Sequence, residues 1–268
     1  MRNTIGILAV ALCLVLSATT GATAGRATEC TTLNICYCVE QDLKSAIDAN
    51  VTRIRKLMSE QKAAGKAVGY LSIPISTVGG SYFGVSSDVA ARTKAAVEKR
   101  LGANSAWLLN PGESDFGLPA GANGADYMLQ WTRVLEGAGF GEDFDFVYFS
   151  GPSDFASALG LTGEADMERI DALFDRRYAT DEGLRKAVEQ GKVSKATFRN
   201  YYALRAAISF SYGSHDEWNI VRILNERRRG ATKSGIADQI AVWFDGRAAV
   251  PGAYEQSIAA GDAGRCIN

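Results

Sequence analysis

VGYLSIPI, residues 68–75, decides the fold. The run is apolar, too short for a helix, and followed by the polar, glycine-bearing STVGGSY at 76–82. It predicts a buried strand that ends in a polar loop. Two similar runs lie downstream: AWLL at 106–109, broken by Asn110-Pro111-Gly112, and FDFVYF at 144–149, stopped by Ser150-Gly151-Pro152. Between them the apolar period changes from strand-like to helical. Ser87 or Asp88 can cap a helix running to Leu101, and Met128, Leu129, Trp131 and Leu135 share a stripe within Asp126–Leu135. Strands joined by crossovers of this length pair in parallel, so the expected fold is α/β: a parallel Rossmann-like sheet with flanking helices.

Outward from this centre the chain changes character. Past residue 160 the pattern is almost wholly helical over Met167–Tyr178, Asp181–Gln190, Lys195–Tyr212 and His215–Arg229, with Ile236–Phe244 read as a short helix or strand. This predicts a helical C-terminal lobe on the α/β domain, residues 66–268. Upstream, residues 25–65 carry three cysteines and an amphipathic helix, expected from Cys38 to Ala64, with Leu43, Ile47, Ile54, Leu57 and Met58 at helical spacing.

Residues 1–24 have the marks of a signal peptide: Arg2, an apolar run from Ile5 to Leu16, and the small-x-small site Ala22-Thr23-Ala24. The expected destination is secreted or periplasmic, with no membrane span once the signal is cleaved. Cysteine usage fits an oxidising compartment. Beyond the signal stand Cys30, Cys36, Cys38 and Cys266, which read as two disulfides with three possible connectivities, at least one tying the chain ends together. Zinc is the rival reading, but Cys30-x5-Cys36-x-Cys38 lacks the usual ligand spacing. The chain has one histidine, so neither a His-based metal site nor a cofactor is expected. With 29 Lys+Arg against 30 Asp+Glu, nothing favours counterion release from a polyanion, and nucleic acid is not an expected partner.

In a parallel sheet the loops leaving the carboxyl ends of the strands form the ligand crevice. Those loops offer Ser76, Ser81 and Tyr82; Asn110, Glu113 and Asp115; and Ser150, Ser153 and Asp154. The expected partner is a small molecule held by hydroxyls and amides. Asp154 also suits the start of the short helix that follows Pro152-Ser153.

YLSIPIS at Tyr70–Ser76, WLLNPGE at Trp107–Glu113, DYMLQWTRVLE at Asp126–Glu136 and DFVYFSGPSD at Asp145–Asp154 together resemble the nucleoside 2-deoxyribosyltransferase-like superfamily over roughly residues 66–160. The resemblance implies cleavage or exchange of an N-glycosidic bond to a nucleobase, on a nucleoside or nucleotide. In that superfamily a carboxylate just after the third of these strands, usually a Glu, attacks the anomeric carbon. Here SDFASALGL at 153–161 offers Asp154 and no Glu. Either Asp154 is the nucleophile, with Glu113 or Asp115 as acid/base partner and Tyr82 stacking on the base, or the fold is present without the chemistry. A non-catalytic exported binding protein using the same crevice is the alternative.

A Ser hydrolase is a further alternative, because Gly151-Pro152-Ser153-Asp154-Phe155 sits where a nucleophile elbow would. Phe155 replaces its second glycine, and Ser153 would need His215 as base. His215 has a local reading: Ser214-His215-Asp216-Glu217 fits a capping box at the head of a helix whose tail, Arg227-Arg228-Arg229, is expected to be solvated.

Overall fold

The computed structural model describes residues 25–75, 79–203, 211–231, 239–252 and 264–267. The expected signal at 1–24 and the candidate Ser76 lie outside them. The chain opens on a hairpin, β1 (Arg26–Cys30) and β2 (Cys36–Glu40), then α1 (Lys44–Ala63). Residues 38–40, expected to begin the helix, therefore belong to β2 and pair antiparallel with β1 instead. Cys36, Cys38 and the β-branched Val39 suit a pleat, and the apolar helical spacing starts only at Leu43.

The centre follows in order: β3 (Ala67–Ser72), α2 (Phe83–Leu101), β4 (Ala106–Leu109), α3 (Gly124–Glu136), β5 (Phe146–Phe149) and α4 (Pro152–Leu159). β3 ends at Ser72, three residues before the predicted limit, because Pro74 has no N–H for the ladder. The helix predicted from Ser87 or Asp88 begins at Phe83 without a side-chain cap. Then come α5 (Asp166–Thr180), α6 (Glu182–Glu189), α7 (Lys195–Ala203), α8 (Tyr212–Gly230), β6 (Ala241–Phe244) and β7 (Arg247–Ala248). The helix expected over Lys195–Tyr212 is described only to Ala203, and Tyr212 already belongs to α8.

The sheet has five strands in the order β4-β3-β5-β6-β7, with β4, β3, β5 and β6 parallel and β7 an antiparallel edge. From β3 the chain steps one way to β4 through α2, then back across β3 to β5 through α3. These two helices lie on opposite faces, which gives both crossovers the same hand. Val68, Tyr70, Leu109, Val147, Phe149 and Val242 face α1, α3, α8 and the hairpin; Leu71, Leu108, Phe146 and Tyr148 face α2 and α4–α7. The two-residue strand period thus builds two separate cores.

Gly69 lies where β3, β4 and β5 are in register. A Cβ there would stand 2.2 Å from the Phe146 ring and 2.7 Å from the Leu108 side chain. Gly69→Ala is expected to lower the unfolding free energy by about 2 to 3 kcal/mol in urea titration, with part recovered by adding Phe146→Leu.

The hairpin is clamped to α3 by two buried acids, Asp126 of the Asn123–Asp126 capping box and Glu136 at the helix end. Asp126 accepts from the Asn123 and Glu40 N–H groups at 2.9 Å each, and Glu136 accepts from the Thr32 hydroxyl at 2.7 Å and the Leu33 N–H at 3.2 Å. Two disulfides, Cys30–Cys36 and Cys38–Cys266, complete the amino-terminal unit. The expected capping box at Ser214–Glu217 is absent: α8 starts one turn earlier, and Ser211 accepts the Ser214 N–H at 3.2 Å. Nor is the tail of α8 wholly solvated. Arg228 is buried and donates to the carbonyls of Phe140 and Gly141 at 2.7 and 2.6 Å.

Candidate functional site

β3 and β5 are neighbours whose outgoing connections leave towards opposite edges, so their carboxyl ends, at Ser72 and Ser150, form the topological switch point where an open α/β sheet takes its ligand. Ser150 donates to the Ser72 carbonyl through its N–H at 2.9 Å and its hydroxyl at 3.2 Å. The Ser72 hydroxyl, on the opposite side of its own strand from Leu71, donates to Glu217 Oε2 at 2.5 Å, and the Tyr70 hydroxyl donates to Glu217 Oε1. Glu217 projects from the second turn of α8, buried at 6% exposure.

Burial pushes the Glu217 carboxyl up to about 7; the Asp216 charge adds to this, while the Ser72 and Tyr70 hydrogen bonds oppose it. Tyr70 is itself held well above its ordinary range by burial and by the Glu217 charge. A carboxyl that changes charge near neutrality at a sheet's topological switch point is suited to both giving and taking a proton. One turn earlier on the same helix face, the buried Ser214 Oγ has no hydrogen-bond partner among the described residues. A buried hydroxyl left unmatched is the kind of group a ligand completes.

The residues named from sequence fall around this crevice in different ways. Asp154 stands in the first turn of α4, and its Oδ2 accepts the Gly151 N–H at 3.0 Å while the Tyr148 hydroxyl reaches both oxygens at 2.9 and 3.0 Å. Burial raises its carboxyl pKa, and the nearby Asp245 adds to that. Asp245, following β6, accepts the Ser153 and Asp154 N–H groups at 2.9 and 3.3 Å. This pair of acids closes the head of α4. Asp154→Asn is expected to change stability by less than about 1 kcal/mol in chemical denaturation, because the weaker bond from the Gly151 N–H is offset by removal of a buried charge that faces Asp245.

Glu113 and Asp115 diverge. Glu113 pairs with Lys94 of α2 at 3.2 Å, while the Asp115 carbonyl accepts from Arg53 of α1, on the other face of the sheet. Asn110 is buried and its side chain folds back to accept the Gly112 N–H at 2.9 Å. Ser81 is buried against Ser86, with hydroxyls 3.2 Å apart. Tyr82 turns into the helical lobe, where its hydroxyl donates to Asp181 Oδ1 at 2.7 Å and burial raises its pKa to about 12. Ser153 is exposed on α4, whereas His215 stands on α8; these helices pack on opposite faces of the sheet. Of the residues named, Ser150 alone is joined by described hydrogen bonds to the Glu217 group.

Glu217 escaped the sequence reading because S-x-x-E at 214–217 has a sufficient local explanation. The signal that could have found it is the helical period: Ser214, Glu217, Ile220, Val221 and Leu224 form one stripe, placing a carboxylate on the apolar face. Among the described residues no cluster of His, Cys, Asp and Glu is arranged to hold a metal ion. Compared with family models, curated proteins and solved structures, the chain matches none. The resemblance of residues 66–160 to the deoxyribosyltransferase-like superfamily therefore stands on the sequence motifs alone.

Proposed function

We propose that this chain is an exported enzyme that breaks the N-glycosidic bond of a nucleoside or nucleotide in the crevice between β3 and β5, with Glu217 as its proton carrier in place of a nucleophilic Asp154. The observation that carries the reading is the Tyr70–Glu217–Ser72 group: a buried carboxyl at the carboxyl end of β3, held by two hydroxyls and titrating near neutrality. Two disulfides support export, since such bonds persist in oxidising compartments. No helix among the described residues is long and apolar enough to cross a membrane.

The reaction needs a proton for the departing nucleobase and a way to tolerate positive charge on the sugar. Neutral Glu217 donates its proton to the base nitrogen as the C–N bond breaks. Water then adds to the anomeric carbon and returns a proton to the carboxylate, so the residue ends the cycle as it began. While ionised, the same carboxylate stabilises the developing oxocarbenium charge. Ser214 Oγ, which has no hydrogen-bond partner among the described residues, supports the reading as a group that would hold the sugar. In the transferase version a second nucleobase takes the place of water.

Incubating the protein with a panel of nucleosides and NAD, then resolving free base by chromatography, tests this. Wild type and Asp154→Asn are expected to release base, and Glu217→Gln to release none above background. Release that survives Glu217→Gln but is lost in Asp154→Asn would return the role to Asp154. Thermal stabilisation by a nucleoside without release from any substrate would identify a binding protein instead.

A further inference from the structure

We infer that a second ligand site, separate from the β3–β5 crevice, lies between α2, the end of α4 and α5, and takes a small molecule bearing a phosphate or other compact anionic group on an apolar body. A cavity of about 380 Å³ opens there, with Val85, Val89 and Leu173 among its apolar walls and Arg92, Arg169, Arg176 and Arg177 around it. That volume suits a compact organic ligand.

The charge in this cavity is unbalanced. Asp88 also lines it, but that carboxylate is taken by Arg177, which reaches Asp181 as well at 3.9 Å. Arg92, Arg169 and Arg176 have no carboxylate partner among the described residues. Two of them are nevertheless positioned: Arg92 donates to the Ala158 carbonyl and Arg169 to the Gly160 carbonyl, each at 2.7 Å, at the carboxyl end of α4. A guanidinium carries five N–H donors, so each anchored arginine keeps donors for a ligand. The Arg176 guanidinium makes no described hydrogen bond. Three cations around one concavity repel one another, and an anion bound among them removes that repulsion while gaining charge-assisted, bidentate hydrogen bonds. The apolar walls add burial for the rest of the ligand, which separates this chemistry from that of a free inorganic ion.

Calorimetric titration at low ionic strength with phenyl phosphate, inorganic phosphate and benzyl alcohol tests the assignment. Phenyl phosphate is expected to bind about tenfold or more tightly than either of the others, because each of them supplies one half of the recognition. Arg92→Gln and Arg176→Gln, both at exposed positions, are each expected to weaken phenyl phosphate about tenfold or more while leaving the circular dichroism unchanged. Glu217→Gln is expected to bind it as wild type does, because the crevice is a different place. Equal binding by wild type and both arginine variants, no preference for phenyl phosphate, or loss of binding in Glu217→Gln would each overturn the site. Preferential binding to vesicles containing phosphatidic acid, with phenyl phosphate unbound, would assign the arginines to a lipid surface and likewise overturn it.

Discussion

Removing the Cys38–Cys266 bridge, by replacing both cysteines with serine, is expected to lower the unfolding free energy by about 5 kcal/mol and the Tm by roughly 10 to 20 °C. The bridge joins residues 228 apart in sequence, so the reduced chain regains the entropy of a loop spanning most of the protein. Cys30–Cys36, separated by only 6 residues, is expected to contribute about 2 kcal/mol by the same relation. The contrast between the two double variants is the informative quantity. Both bridges hold the hairpin, so equal losses would mean that the effect is local packing and not loop closure. The long bridge also seats the carboxyl end of the chain, where Cys266 donates its N–H to Thr28 Oγ1 at 3.0 Å and Gly264 donates to the Cys36 carbonyl at 2.7 Å. Those contacts should become labile to hydrogen exchange once it is gone.

Glu217→Gln carries the second large effect, and it has two separable parts. If the carboxyl is the proton carrier, its replacement should reduce base release about a thousandfold, within the range general acid–base groups contribute. The wild-type kcat/KM should fall as pH rises past about 7, where the carboxyl loses its proton. The other part concerns stability and holds whatever the reaction. Burial raises the folded-state pKa from the ordinary glutamate value of about 4.5 to about 7, so the folded state binds the proton more tightly than the unfolded chain does. The contribution is therefore fully present below about pH 4.5, declines as pH rises, and is gone above about 7, a change on the order of 3 kcal/mol. Urea titration of wild type at pH 5 and pH 8 should show that decline superimposed on the rest of the chain, and Glu217→Gln should remove it. A decline of equal size in the glutamine variant would show that other groups are responsible.

The parallel sheet was legible because its evidence is local and repeated: three short apolar runs, each followed by a polar, glycine-bearing loop, separated by helical spacing too long for hairpins. A short, continuously apolar run fits a strand buried on both faces, so Val68–Ser72 and Phe146–Phe149 declare themselves before any neighbour is known. Where local signals competed, the reading erred. Residues 38–40 continued into a helical stripe yet pair as part of a strand, because the hairpin partner at 26–30 supplies the ladder.

The site was decided elsewhere. Asp154, Glu113 and Tyr82 were the conspicuous polar residues of their loops, and each meets a nearby demand: a helix head, a lysine on the adjacent helix, an aspartate in the helical lobe. Glu217 meets Tyr70 and Ser72 across 147 and 145 residues of chain, and its carboxyl moves towards neutrality only because α8 seals it against β3. Composition and period determined which segments are strands and helices and that cysteines tie the amino-terminal unit. Which acid is desolvated, and beside which hydroxyls, depends on how helices returning from far along the chain pack on the sheet. Desolvation is a property of that packing, and no local pattern of residues carries it.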